Sequence, residues 1–130
     1  MFSTLPTLLG LSILLGLVHI LIAGSLVTAS RGLKWNAGNR DGEPSVVSLH
    51  AGRAQRAQGN FLETFPFFAA AVVCAIAIDR QGYLAETGAQ MYFWARVAYL
   101  AIYIIGIPVL RTLVWAVSMV GLLMVVVTLF

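Results

Sequence analysis

Charged side chains are scarce in this 130-residue chain. Asp, Glu, Lys and Arg make up 10% of it, where a soluble domain carries about a quarter. That deficit excludes an ordinary water-soluble globule. Cysteine is nearly absent as well: the single Cys74 rules out an internal disulfide framework and a cysteine metal cluster. It sits in an apolar run, where inert packing is its expected role. Five acidic residues stand against eight basic ones, a net charge of +3. An excess so small and dispersed does not suit a nucleic-acid surface, and membrane orientation is the better use for it. The sequence has no Ser-His-Asp arrangement, no phosphate loop and no metal motif. His19 and His50 each lack a second ligand at metal spacing; His19 reads as a hydrogen-bonded core residue, His50 as a solvated or interfacial one.

What the chain has instead is apolar length. It is 60% hydrophobic with a mean hydropathy of +0.91, the composition of a polytopic membrane protein forming one domain. A span needs roughly 20 residues, and four segments qualify: about Leu5 to Ala29, Phe61 to Ile78, Met91 to Leu110 and Thr112 to Phe130. The first has no basic residues before it and is too long for a cleaved signal, so it reads as a retained span. The second is slightly short, and its helix is expected to begin earlier, in the polar stretch before it. Between the first two spans lies the long connection, about Ser30 to Gln58. Its middle, Asn36 to Pro44, is rich in turn formers. A helix should restart near Ser45 to Ser48, with Ser45 a reasonable N-cap, and Pro108 should bend or end the third helix. The first connection holds Arg31, Lys34, Arg40, Arg53 and Arg56 against Asp41 and Glu43, and Arg111 marks the third. Basic residues mark the cytoplasmic side; connections one and three are therefore expected there, with both termini opposite. Trp35, Phe93, Trp94, Trp115 and Phe130 suit an interfacial aromatic belt.

The most informative stretch is polar yet runs without a break into the second span. On a helix, Arg53, Arg56, Asn60 and Glu63 are spaced three, four and three, and so share one face. That face offers two guanidinium forks, an amide and a carboxylate. Such a mixture fits a zwitterionic peptide with extra carboxylates: arginines take carboxylates in bidentate pairs and the glutamate takes an ammonium group. A basic patch against anionic lipid would explain the arginines but neither Asn60 nor Glu63. Pro66, three residues after Glu63, removes a backbone donor inside the span. On the third span, Arg96, Tyr99 and Tyr103 again share a face. The tyrosines suit either a polar ligand or ordinary packing. A cation inside a span calls for a partner, and Glu63 or Asp79 could supply it.

These residues resemble a known family. The run Arg56-Ala-Gln-Gly-Asn60-Phe-Leu-Glu63-Thr-Phe-Pro66 is similar to the signature of the membrane-associated proteins in eicosanoid and glutathione metabolism, MAPEG. Arg96-x-x-Tyr99-x-x-x-Tyr103, followed by Arg111, resembles the third helix and the next turn of its glutathione-using members. The resemblance implies an all-α, left-handed four-helix membrane bundle assembling as a homotrimer. Glutathione would lie between neighbouring subunits, open to the cytoplasmic side. Arg56, Asn60 and Glu63 would hold the peptide with Arg53 close by, and Tyr99 and Tyr103 would contribute from the third helix. Arg31 resembles a further basic ligand, and Arg111 would take the place of the arginine assigned to the thiol. No metal is implied. Two departures stand out: Thr64 occupies a position that is aromatic in several members, and the run from Tyr103 to Arg111 differs by about one residue.

The implied activity is glutathione transfer to hydrophobic electrophiles, or reduction of lipid hydroperoxides, with the second substrate arriving laterally from the membrane lipids. Two other readings compete. A non-catalytic member of the same fold would bind lipid and present it to a partner. A small proton-coupled exporter would use a membrane carboxylate, but such proteins place it in the first span, which here has no acid.

Overall fold

Proline and glycine positions decide where the helices of this chain begin and stop. The computed structural model describes residues 4–42 and 45–130; Glu43 and Pro44 of the turn-forming run lie outside the described residues, as do the first three. Among the described residues five helices follow one another: α1 (Leu5–Arg31), α2 (Leu33–Ala37), α3 (Leu49–Ala77), α4 (Tyr83–Ile105) and α5 (Pro108–Val127). Pro6 stands in the first turn of α1, where a missing N–H leaves no hydrogen bond unmade. Arg31 closes the same helix, beside its negative dipole end.

The connection into α3 is tied back to the end of α1. Arg31 Nε donates to the Ser45 carbonyl at 3.0 Å, and the Ser48 N–H donates to Ser30 Oγ at 3.0 Å. The cap of α3 is Ser48, not Ser45: the Ser48 hydroxyl accepts from the Ala51 N–H at 3.2 Å. The reason is reach, since an N-cap oxygen serves the amide two or three residues on, and Ser45 stands too far ahead of the helix. α3 then runs 29 residues, about 44 Å, through the polar stretch and on through Pro66. The helix thus begins well before the apolar segment, as its shortness suggested.

At the other end of the chain the expected boundary moves. α4 starts at Tyr83 and stops at Ile105, and the residue that stops it is Gly106, not Pro108. Gly106 adopts φ +95°, and the amides of Gly106 and Ile107 both donate to the Ile102 carbonyl, at 2.9 and 3.3 Å. This is the left-handed ending that glycine supplies without strain. Pro108 is the first residue of α5, a position that suits its fixed φ. Arg111 therefore lies within the first turns of α5 rather than in a connection between spans.

By length and composition α1, α3 and α5 can each cross a membrane. α4 has 23 residues but is not among the helices apolar enough by composition to be counted with these three. Their outward faces are apolar, with Leu14, Leu21, Leu113, Leu123 and Val127 all exposed. Inside, α4 packs along α5, α1 along α3, and α3 also meets α4. Phe68 of α3 stacks on Tyr92 of α4 with ring centroids 4.0 Å apart, and Phe61 stacks between His19 and Phe65.

The tightest approach is between Gly88 and Gly121. A Cβ on Gly88 would stand 2.6 Å from the Gly121 carbonyl oxygen, and one on Gly121 would stand 2.5 Å from that of Gly88. Without side chains there, α4 and α5 touch backbone to backbone. Gly121→Leu should therefore lower the thermal unfolding midpoint in detergent, by an overpacking cost of about 1–3 kcal/mol. Gly10→Ala, where a Cβ meets open space, should leave the midpoint unchanged or raise it. Equal midpoints for the two variants would contradict the close crossing.

Candidate functional site

Three helices contribute to one open cleft of about 530 Å³. From α3 come Arg56, Gly59, Asn60 and Glu63; from α4, Tyr99 and Tyr103; from α5, Arg111, Thr112 and Trp115. The three-four-three face of α3 is thus brought against the tyrosine face of α4, and the first turns of α5 close the side. Arg56 and Glu63 are exposed, Asn60 is half-buried, and its Oδ1 is buried without a donor among the described residues.

The α4 wall is an alternation of cations and rings. The Arg96 guanidinium lies 4.4 Å from the Tyr99 ring centroid. Tyr99 meets Tyr103 edge-on at 5.5 Å, and the Arg111 guanidinium lies 4.7 Å from the Tyr103 centroid. Tyr99, Tyr103 and Arg111 belong to the cleft, while Arg96 stands behind it, fully buried. The expected partner of Arg96 is neither Glu63 nor Asp79. Its three guanidinium nitrogens make no hydrogen bond among the described residues, and it packs against Tyr99 and, at 5.5 Å, Phe61. His19 also departs from expectation, because both of its buried ring nitrogens lack a hydrogen-bond partner among the described residues.

Two of the arginines expected at the site are placed elsewhere. Arg53 reaches away from Asn60 and Glu63 to the end of α4, where its Nη1 donates to the carbonyls of Ile104 and Ile105, both at 3.2 Å. It closes a helix end and lines a smaller adjoining cleft of about 250 Å³ together with Arg56, Tyr103 and Arg111. A Cβ on Gly106 would stand 2.6 Å from the Arg53 guanidinium carbon, so glycine there serves both the turn and the arginine. Arg31 lies apart, in a separate cleft with Lys34, Trp35 and Arg40.

Thr64 has a structural explanation. Its hydroxyl lies 3.0 Å from the Tyr92 hydroxyl, inside the α3–α4 contact. It serves the core and not the cleft. Sequence reasoning missed Gly59, Thr112 and Trp115. The available signal was spacing: Trp115 follows Arg111 by four residues and so shares its face.

The side chains of the cleft could meet a ligand that carries carboxylates and an ammonium group. Arg56 and Arg111 offer forked donors, Glu63 a counter-charge for an ammonium group, and Asn60 a free amide oxygen. The class of protein follows from fold and site together: an all-helical membrane protein with a polar, ligand-sized cleft between its helices. The chain matches the MAPEG family over residues 8–130 and belongs to that family. Its membership and its three helices long and apolar enough to cross a membrane make it an integral membrane protein. The family includes glutathione transferases, glutathione peroxidases and eicosanoid synthases, and glutathione is its general substrate. No curated protein and no solved structure matches the chain.

Arg53→Met removes both hydrogen bonds to the end of α4, and a loss of about 1–3 kcal/mol in stability is expected. Arg56→Met, whose guanidinium makes no hydrogen bond within the described residues, should leave stability unchanged. Thermal unfolding of both variants in detergent makes the comparison. A stable Arg53 variant would return that residue to the list of ligand contacts.

Proposed function

We propose that this chain is a membrane-bound, glutathione-dependent transferase with peroxidase capacity. One observation carries the reading. Arg56, Asn60 and Glu63 of α3 line the same open cleft as Tyr99, Tyr103 and Arg111, although the two groups are separated by more than thirty positions of sequence. Every residue of that set belongs to the motifs that resemble the glutathione-using members of the family.

Each group then has a task. Arg56 takes a glutathione carboxylate as a bidentate pair, Glu63 takes the ammonium group, and Asn60 accepts from a peptide amide. Arg111 stands at the sulfur. A thiol has a pKa near 8.5, is mostly protonated at neutral pH, and reacts as the thiolate. A guanidinium stays charged, so Arg111 is no base; it favours the anion by its field, and the proton passes to water. In transfer, the sulfur forms a bond to the electrophilic carbon. In hydroperoxide reduction, two glutathiones are oxidised to the disulfide while the hydroperoxide becomes an alcohol and water. The chain contributes proximity and electrostatics.

The assembly belongs to the same proposal. In a homotrimer the cleft of one protomer would be closed by its neighbour, and Arg31, remote from the cleft within its own chain, would reach the ligand of an adjacent protomer. The connection between α1 and α3 and the turn between α4 and α5 would face the cytoplasm, with the termini opposite. Membrane lipid would flank the cleft and deliver the hydrophobic second substrate.

Titration of the purified protein with glutathione, followed by thiolate ultraviolet absorbance, tests the function directly; no thiolate band at saturating peptide leaves only lipid binding. Arg111→Ala should reduce the thiolate fraction at neutral pH by about tenfold, one pKa unit or roughly 1.4 kcal/mol, with a smaller change in glutathione affinity. Tyr103 separates ring from hydroxyl. Tyr103→Phe keeps the ring beside Arg111 and should raise KM while preserving the thiolate band; Tyr103→Leu should weaken both. Identical behaviour of the two Tyr103 variants would remove the ring from the account.

A further inference from the structure

We infer that the cleft around α2 is a headgroup site for an anionic phospholipid, with Lys34 and Arg40 taking its phosphate. This cleft of about 580 Å³ is lined by Arg31, Lys34, Trp35, Arg40 and Asp41, among others. It shares no residue with the cleft between α3, α4 and α5, and the inference does not rest on the glutathione reading. Arg31 has a task of its own in the proposed trimer, so the argument is made on Lys34, Trp35 and Arg40.

Charge defines the ligand. Two cations besides Arg31 line this cleft with a single acid, Asp41. Lys34 is exposed and makes no hydrogen bond or ion pair among the described residues. Arg40 is held in place: its Nε and Nη2 donate to the Asn36 carbonyl at 3.3 and 3.1 Å, and Nη2 also donates to Asn36 Oδ1 at 2.6 Å. Both acceptors are neutral, so the guanidinium is fixed while its charge stays uncompensated. A fixed cation gives up little freedom on meeting an anion. One guanidinium and one ammonium around an open cleft suit a phosphate, which accepts from both.

Level decides where that phosphate comes from. α1 runs 27 residues, about 40 Å, while the hydrocarbon of a bilayer is about 30 Å thick. The excess carries the helix into the headgroup layer, and only Gly32 separates its last residue from α2. The bonds from Arg31 to Ser45 and from Ser48 to Ser30 hold the approach to α3 at the same level. Here the surface is apolar as well as cationic. Val46 is 94% exposed, and Leu33 of α2 and Leu49 of α3 are exposed too. A soluble phosphate would use the cations and leave these side chains in water. At the boundary between acyl chains and headgroups both are served, the apolar groups by lipid and the cations by phosphate. Trp35 is half-buried beside Lys34, and indole favours the same layer.

The experiment uses the full chain, purified in an uncharged detergent, and follows the thermal unfolding midpoint as short-chain phosphatidylglycerol is added. The wild type should gain stability with lipid, and the gain should shrink as salt is raised. Lys34→Gln combined with Arg40→Gln should need about thirtyfold more lipid for the same gain. Short-chain phosphatidylcholine should raise both proteins alike, and by less. Equal responses of the two proteins to phosphatidylglycerol overturn the site. So does a phosphatidylcholine response in the wild type as large as that to phosphatidylglycerol, because charge then plays no part. Inorganic phosphate acting at the same concentration as the lipid overturns the lipid source and leaves a site for soluble anions. A second measurement needs no charge variant: phosphatidylglycerol should move the tryptophan emission of the wild type to shorter wavelength, and Trp35→Phe should abolish that shift. An equal shift in the two proteins overturns the proposal.

Discussion

The contact between Gly88 and Gly121 fixes the geometry on which the cleft depends. α4 and α5 are joined by a turn of two residues, Gly106 and Ile107, which brings Arg111 back alongside Tyr103. A short turn alone sets the near end of such a hairpin. The backbone contact between the two glycines sets the far end, and with both ends fixed the register of the helices cannot slide. In lipid the hydrophobic effect does not press helices together, so close approach through small residues carries much of the association. The position of the Arg111 guanidinium 4.7 Å from the Tyr103 centroid is a consequence of that register.

The same medium explains where the polar side chains find their partners. Several hydroxyls inside the bundle are satisfied by their own helix: Ser12 donates to the Leu8 carbonyl at 2.8 Å and Ser118 to that of Trp115 at 2.6 Å. Such back-bonding lets a polar residue sit at membrane depth with no partner elsewhere. Thr64 is accounted for by Tyr92 and Arg53 by the end of α4. Among the described residues, the buried side-chain polar atoms that remain unpaired belong to Asn60, His19 and Arg96. Asn60 faces the cleft, and Arg96 and His19 lie behind it around Phe61.

Much of the site was legible before any fold was known, because helical spacing alone puts Arg56, Asn60 and Glu63 on one face and Tyr99 and Tyr103 on another. What spacing could not supply is the neighbour each residue meets. Arg53 satisfies the same periodicity as Arg56, yet the end of α4 passes close to it, and two carbonyls without helical partners claim its guanidinium. Arg31 sits at a helix end remote from the cleft, a distance that no pattern along the chain encodes. Pro108 was misread for a similar reason. A proline signals the edge of a helix, but which edge depends on the residue before it, and Gly106 with its positive φ had already stopped α4. Trp115 looked like a generic interfacial aromatic until the start of α5 showed how far inside the helix it lies.

Arg96 presents the sharpest energetic problem in the chain. Taking a cation out of water costs several kcal/mol even after relaxation, and a desolvated cation–π contact returns about 2 kcal/mol. The rings of Tyr99 and Phe61 therefore offset only part of the cost, and packing of the surrounding helices must hold the guanidinium where it is. Its field is not confined to the core. The Tyr99 ring that Arg96 packs against also lines the cleft, and in a medium of low dielectric a charge at that range acts strongly. An anion in the cleft would feel Arg111 directly and Arg96 through the ring. Tyr99 and Tyr103 are held between these two cations, so their rings are gripped from both ends while their hydroxyls remain free to meet a ligand. On the proposed function, a buried charge that weakens the fold would thereby contribute to the two things an anionic nucleophile needs, a fixed wall and a positive potential.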